Sequence, residues 1–310
     1  MIAGEDVRTV AVVGAGSIGA SWAALALGHG LRVVATDPVA EAEVPLRETV
    51  ATRLTELGQT VDQSMLHFTG DLAKAAAQAD LVLEGGPERL DVKRTIFAAL
   101  DHAAGPDVVL ASSSSGLLPS SFQGACERHP ERVLVAHPFN PPHLVPLVEV
   151  VGGEQTSDDA VRAAMTTLRH WGKRPIHLRR ELPGHVVNRL QAALWREAYS
   201  LVGQGVVSVE DIDVAISSGP GLRWALLGPF ATQHLSGGPG GMAHVLEHLG
   251  PPMVEWWNDL GSPELTPELV DTLVEGVRAE FEGLSEADVL ARRDRALREL
   301  MVLKAGLGLD

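Results

Sequence analysis

A short β-branched run, Thr9-Val10-Ala11-Val12-Val13, leads straight into Gly14-Ala15-Gly16-Ser17-Ile18-Gly19, and this junction restricts the fold more than any other part of the chain. The run has the composition of a buried parallel strand. Residues 20–30 are small and apolar with good helix formers, and end in glycines. Residues 31–36 read as a second strand, stopped by Asp37-Pro38. Together they make one βαβ unit of roughly 30 residues. Gly14 permits a tight turn, Gly16 lets the backbone approach a pyrophosphate, and Gly19 lets helix and strand pack closely. The helix N-terminus, at Ser17 and Ile18, offers unpaired N–H groups and partial positive charge to phosphates. Glycine is common here, 32 of 310 residues, so the pattern gains its weight from standing between a strand and a helix. The Asp37 carboxylate can accept both ribose hydroxyls of an adenosine and would repel a 2′-phosphate. NAD is therefore expected rather than NADP. The competing reading is a glycine-rich loop with an acidic turn residue.

The alternation continues. Helices are expected over 41–57, 72–79 and 91–103, and strands over 66–69, 81–84, 108–111, 132–136 and 147–151. This order predicts an α/β fold, a Rossmann-type doubly wound parallel sheet. After Pro183-Gly184 the character changes. Residues 186–203, 208–217, 241–249, 263–282 and 285–304 read as helices, with Val270, Leu273, Val274 and Val277 forming one apolar stripe. The expected organisation is a nucleotide-binding domain over 1–182 and an all-helical domain over 183–310.

Composition narrows the function. Net charge is −15, from 25 basic and 40 acidic residues, and such a surface repels phosphate backbones. Nucleic acid is not an expected partner. No stretch of about 18 uncharged apolar residues is present, so no membrane span is expected. The N-terminal segment lacks a basic region followed by an apolar one, and Cys126 is the only cysteine. A cytoplasmic setting fits both.

Three strands end in residues suited to chemistry, at the sheet edge where open α/β folds bind ligands. Ser115 follows one strand. His137 follows the next, in Ala136-His137-Pro138-Phe139-Asn140-Pro141-Pro142. Glu149 is a charge inside the apolar run Leu147-Val148-Glu149-Val150-Val151. A buried carboxylate costs several kcal/mol unless paired, so a partner is required. A histidine suits this, although an arginine would serve structurally. A His–Glu pair suits alcohol oxidation: the histidine takes the hydroxyl proton, and the carboxylate fixes its tautomer and stabilises the imidazolium. A serine hydroxyl and an asparagine amide can hold the reacting oxygen.

These residues resemble the 3-hydroxyacyl-CoA dehydrogenase family. The resemblance runs from Val10 past Trp224 and includes GAGSIG (14–19), LVLEGGPERLDVK (81–93), ASSSSG (111–116), AHPFNPP (136–142), PLVEVV (146–151) and PGHVVNRL (183–190), in family order. It implies a helical domain that holds substrate and forms a homodimer. By position it implies catalytic roles for Ser115, His137, Glu149 and Asn188, and further NAD contacts from Glu88, Lys93 and Asn140. Within the family, SSSSGLLPS (112–120) and GPGLRWALLGP (219–229) are similar to the branch of lambda-crystallin and L-gulonate 3-dehydrogenase. The stretch from Gly219 through GGPGGM (237–242), and PELTPELVDTLVEG (263–276), look like bacterial L-carnitine dehydrogenases. Both sub-branches oxidise free 3-hydroxy acids.

Charge supports that branch. Acyl-CoA members carry a lysine-rich helical hairpin after the second strand. Here, between Ala40 and Phe68, the basic residues other than histidine are Arg47 and Arg53, outnumbered by Glu41, Glu43, Glu48, Glu56 and Asp62. A CoA phosphate cluster would find little positive charge there. A free acid needs one carboxylate receptor. Arg223, read as lying in a Gly-rich loop before Trp224, is the candidate, because guanidinium matches carboxylate bidentately. A trimethylammonium group would need aromatic faces, for which Trp195, Tyr199, Trp224 and Phe139 are candidates, unless they simply fill an interface. His244-Val245-Leu246-Glu247-His248 matches a zinc-protease pattern, but no third ligand is evident and no metal is expected. The expected activity is NAD-dependent oxidation of the 3-hydroxyl of a short polar hydroxy acid. The alternatives are a 3-hydroxyacyl thioester as substrate or a non-catalytic, crystallin-like NAD-binding protein.

Overall fold

The computed structural model describes residues 1–60 and 62–309; Val61 and Asp310 lie outside the described residues. The chain forms two compact units, meeting between Arg189 and Leu190. That junction lies beyond the boundary expected near 182, because the segment after Pro183 is hydrogen-bonded back to the sheet at Glu149 and Ser115.

The first unit is built on strands β1 (Thr9–Val13), β2 (Arg32–Thr36), β3 (Leu66–Thr69), β4 (Leu81–Glu84), β5 (Val109–Ser112), β6 (Val133–Pro138), β7 (Leu147–Gly152) and β8 (Arg174–Leu178). Their spatial order is β3-β2-β1-β4-β5-β6-β7-β8. Strand order reverses direction at β1 and β4, which opens a ligand crevice at their C-terminal ends. Helices α1 (Ser17–Gly28), α2 (Glu43–Glu56), α3 (Leu72–Ala76), α4 (Leu90–Ala103), α5 (Pro119–Gln123) and α6 (Asp158–His170) accompany the sheet. On one face Val10 and Val12 join a core with Trp22, Leu46 and Leu168. On the other, Ala11 and Val13 join Phe97, Leu100 and Phe122. Cover on both faces explains why β1 is continuously apolar rather than alternating.

The sheet is mostly, not wholly, parallel: β7 runs antiparallel to β6. Residues 139–146 connect them, and a parallel crossover needs a dozen or more residues. The register of this pair places His137 directly opposite Glu149. Directly opposed residues share one face of a sheet, with Cβ atoms about 4.5–5.5 Å apart. Strand pairing alone therefore brings the two together.

Helices α5 and α6 and strand β8 are additions to the expected pattern. The start of α6 carries a cap signal: the Ser157 hydroxyl accepts the Ala160 N–H, and Asp158 and Asp159 fill the first turn. Strand β8, Arg174-Pro175-Ile176-His177-Leu178, hides behind a proline and two basic-type residues, which an edge strand tolerates.

The second unit is helical. It comprises α7 (Val187–Gly203, starting in the first unit), α8 (Val209–Ser217), α9 (Pro220–Leu227), α10 (Pro229–Ser236), α11 (Gly241–Asp259), α12 (Pro267–Glu280) and α13 (Glu286–Gly306). Ser208, Thr266 and Ser285 cap α8, α12 and α13 through their side chains. The segment holding Arg223, expected as a loop, is α9: Pro220 opens it, and Gly228, at φ 75°, ends it. Helix α11 continues through Pro251 and Pro252, past the expected stop at 249. No helix among the described residues is long and apolar enough to cross a membrane.

Candidate active site

A cavity of about 660 Å³ opens over the β1–α1 turn, lined by Gly14, Gly16, Asp37 and Gly86 among others. Two of the glycines are fixed by space. A Cβ on Gly19 would lie 1.9 Å from the Gly14 carbonyl oxygen, and one on Gly14, at φ 99°, would lie 2.9 Å from the Gly85 oxygen. Gly16 has nothing within 4 Å of that position. Its open side faces the cavity, as close approach of a pyrophosphate requires. Asp37 stands at the end of β2, where Oδ2 accepts the Ala15 N–H at 2.9 Å and Oδ1 the Val39 N–H at 3.0 Å. Its remaining lone pairs can take ribose hydroxyls. Ser17 and Ile18 begin α1 as expected. The residues present thus fit a dinucleotide: a side-chain-free cradle, a helix N-terminus and one well-placed carboxylate.

Lys93, expected as a cofactor contact, is 1% exposed, and its three N–H donors are met inside the protein. They go to Glu84 Oε1 and Oε2, both at 2.7 Å, and to the Gly86 carbonyl at 3.2 Å. Glu84, itself fully buried, also accepts the Gly86 N–H at 2.6 Å and the Ser112 hydroxyl at 2.7 Å. Removing one partner of such a buried pair typically costs about 3–5 kcal/mol. Lys93 thus braces the Gly85-Gly86 turn, which lines the cavity. Sequence reasoning passed over Glu84, although an acid closing an apolar strand was a signal.

The buried pair foreseen at the sheet edge is present. His137 Nδ1 lies 2.9 Å from Glu149 Oε2. The other oxygen, Oε1, accepts the N–H groups of Val186 and Val187 at 2.9 and 3.0 Å. Two successive N–H groups on one oxygen, at the start of α7, form an anion receptor. Burial opposes charge on Glu149. The bonds from His137, Val187 and Val186 outweigh it and hold the carboxyl below the ordinary glutamate range. An ionised Glu149 makes Nδ1 of His137 the protonated nitrogen and leaves Nε2 with a free lone pair. The Phe139 ring lies 4.8 Å from the His137 ring, tilted by 56°.

Ser115 is exposed on the loop after β5, and its carbonyl accepts a hydrogen bond from Asn188 Nδ2 at 3.2 Å. Glu88 braces the same loop: Oε1 accepts from the Ser114 hydroxyl at 2.6 Å and from the Gly116 and Leu117 N–H groups at 2.8 and 3.2 Å. Desolvation opposes its charge, but these bonds win and lower its pKa. Asn140 is exposed, two residues beyond β6. The sheet unit thus brings together His137 and Glu149, and separately Ser115, Asn188 and Glu88.

Arg223 and Trp224 are exposed on α9 in the second unit. Trp195 and Tyr199 line a cavity of about 440 Å³ within that unit, together with Asp213. The His244 and His248 rings on α11 lie 4.0 Å apart, tilted by 44°, and among the described residues no group of three or more metal-ligating side chains occurs.

Comparison with known proteins places this geometry. Residues 9–182 match the 3-hydroxyacyl-CoA dehydrogenase NAD-binding domain, and residues 184–277 match the C-terminal domain of the same family. An L-carnitine dehydrogenase of Nocardiopsis dassonvillei is 51% identical, over 94% of this chain and 90% of its own. A 3-hydroxyacyl-CoA dehydrogenase of Gibberella moniliformis is 45% identical, over 97% and 96%. Among solved structures, a 5-formyl-3-hydroxy-2-methylpyridine 4-carboxylic acid 5-dehydrogenase, an NAD+-dependent dismutase, superposes with a TM-score of 0.80 at 29% identity, covering 97% of this chain and 99% of the other. With both domain models matched in order across the sheet and the helices, the chain belongs to the 3-hydroxyacyl-CoA dehydrogenase family and carries that family's NAD-binding domain.

Proposed function

We propose that the chain oxidises the 3-hydroxyl of L-carnitine to the 3-ketone with NAD as oxidant. The observation that carries the chemistry is His137 Nδ1 at 2.9 Å from a buried, ionised Glu149, on the strand edge of an NAD-binding sheet. In the proposed reaction Nε2 of His137 accepts the hydroxyl proton, and Glu149 stabilises the imidazolium that results. The carbinol C–H leaves as hydride, so the carbon is oxidised by two electrons as the C=O bond forms. NAD supplies the hydride acceptor when bound. The Ser115 hydroxyl and the Asn188 amide hold the reacting oxygen. Arg223 receives the substrate carboxylate, Trp224 stands beside it, and an aromatic face receives the trimethylammonium group.

The identity to L-carnitine dehydrogenases supports the substrate, and so does local charge. Arg47 and Arg53, the basic residues of α2, are committed to Glu43 and Glu56 at 2.8 and 2.9 Å. Both already face carboxylates, and α2 carries no lysine to receive a CoA phosphate. The thioester reading is favoured by the name of the Gibberella relative and by the name of the family itself. A panel of L-carnitine, L-gulonate, 3-hydroxybutyrate and 3-hydroxybutyryl-CoA, followed by NADH absorbance, separates the two. L-Carnitine is expected to give the highest kcat/KM, and preference for the thioester overturns the substrate assignment.

The helical unit is also proposed to pair two copies of the chain. It exposes Phe230, Trp256 and Trp257, at 76%, 58% and 63%, more aromatic surface than a monomer usually leaves in water. Light scattering is expected to give twice the 32.9 kDa chain mass. A monomeric mass at micromolar concentration ends this part of the proposal.

A further inference from the structure

A second histidine lies against the proposed base. The His185 ring centroid is 5.4 Å from that of His137, and the residue is fully buried. Two features of it are unfavourable by themselves. Its backbone has φ 52°, which places it alone among the described non-glycine residues in the left-handed region. Its Nδ1 is buried with no hydrogen-bond partner. Strain of this kind persists where surrounding structure demands it, and it gathers at functional sites. The other ring nitrogen, Nε2, lies 3.3 Å from the Ser114 carbonyl. A carbonyl only accepts, so Nε2 carries the proton and Nδ1 is a bare lone pair. Burial keeps the ring neutral by pushing its pKa down, against the raising influence of the Ser114 bond. The titratable groups facing it are His137, Glu149 and Glu88.

The turn does a second thing. After His185 the chain delivers the next two N–H groups, of Val186 and Val187, to Glu149 Oε1. A residue there in the extended region would aim them elsewhere. One residue thus touches both halves of the site: its side chain ties the serine loop, and its backbone turns the donors onto the carboxylate.

We propose that His185 is a positioning residue, which as a neutral Nε2–H imidazole locks the Ser114 carbonyl beside Ser115 and fixes the turn that orients Glu149 behind His137. This deepens the dehydrogenase reading and rests on it. A phenylalanine fills similar space without a donor. An asparagine keeps a donor and tolerates a left-handed backbone. His185→Phe is expected to lower kcat for L-carnitine about tenfold, with KM for NAD changed less than about twofold, as loss of one positioning hydrogen bond implies. His185→Asn is expected to recover part of that loss. Without any turnover, the nitrogen-15 shifts of His185 are expected to report a neutral Nε2–H ring that titrates below an ordinary histidine. Wild-type kcat in a folded His185→Phe protein, or a His185 that titrates near neutrality, overturns the proposal. Absence of turnover in the wild-type protein would instead count against the dehydrogenase reading, and the nitrogen shifts would still decide the state of His185.

Discussion

Replacing His137 by alanine is expected to lower kcat for hydroxy-acid oxidation by about a hundredfold or more, the usual worth of a positioned acid–base group, while NAD still binds. The separation follows from where the residue sits. His137 is near the end of β6, whereas the dinucleotide cavity is lined by the β1–α1 turn, Asp37 and the Gly85-Gly86 turn. The ring is 6% exposed, and one nitrogen is tied to Glu149, so only Nε2 is left to meet substrate. Glu149 keeps its two backbone donors in the variant, so the buried charge is not stranded and the protein should fold. NAD titration by fluorescence beside steady-state kinetics separates the two effects. Unchanged turnover removes His137 from the chemistry, and lost NAD binding assigns it a cofactor role instead.

Glu149→Gln is expected to cost more than its single-atom difference suggests, on the order of a hundredfold to ten-thousandfold in kcat. These bounds are the usual value of acid–base catalysis and the loss seen when the carboxylate fixing a histidine tautomer becomes an amide. The Val186 and Val187 N–H groups point at Oε1, so the glutamine carbonyl takes that position and turns its NH2 toward His137 Nδ1. That amide donates where Glu149 accepted. The imidazole must then carry its proton on Nε2, the nitrogen proposed to remove the substrate proton. Steady-state kinetics checks the loss, and circular dichroism checks that the fold is kept. A drop below about threefold would mean that the tautomer is set by something other than Glu149.

The parts of this molecule that were legible in its sequence are those whose physics is local. The β1–α1 junction announces itself because a strand buried on both faces must be apolar throughout, and because the turn tolerates only glycine at Gly14 and Gly19. Glu149 declared that it had a partner, since a carboxylate in an apolar strand cannot stand alone. Which residue paired with it depended on the reversal of β7, and that reversal depended on the length of the 139–146 connection. The reach of Lys93 to Glu84 is fixed by how α4 packs on β4, which the sequence does not state. His185 was quoted only within a motif. Its significance lies in a positive φ and a neighbouring ring, both products of tertiary structure. In the helical unit, α9 and α10 are short and flanked by glycines, and so read as loop.

The measurement that bears most directly on the His137–Glu149 pair is the tautomer of the His137 ring, read from nitrogen-15 shifts in the wild-type protein and Glu149→Gln side by side. In the wild-type protein the proton is expected on Nδ1, which faces Glu149 Oε2 at 2.9 Å, with Nε2 bare. In the variant the glutamine NH2 donates to Nδ1, and the proton is expected on Nε2. The same tautomer in the two proteins would contradict the pairing of His137 with Glu149 as the acid–base unit.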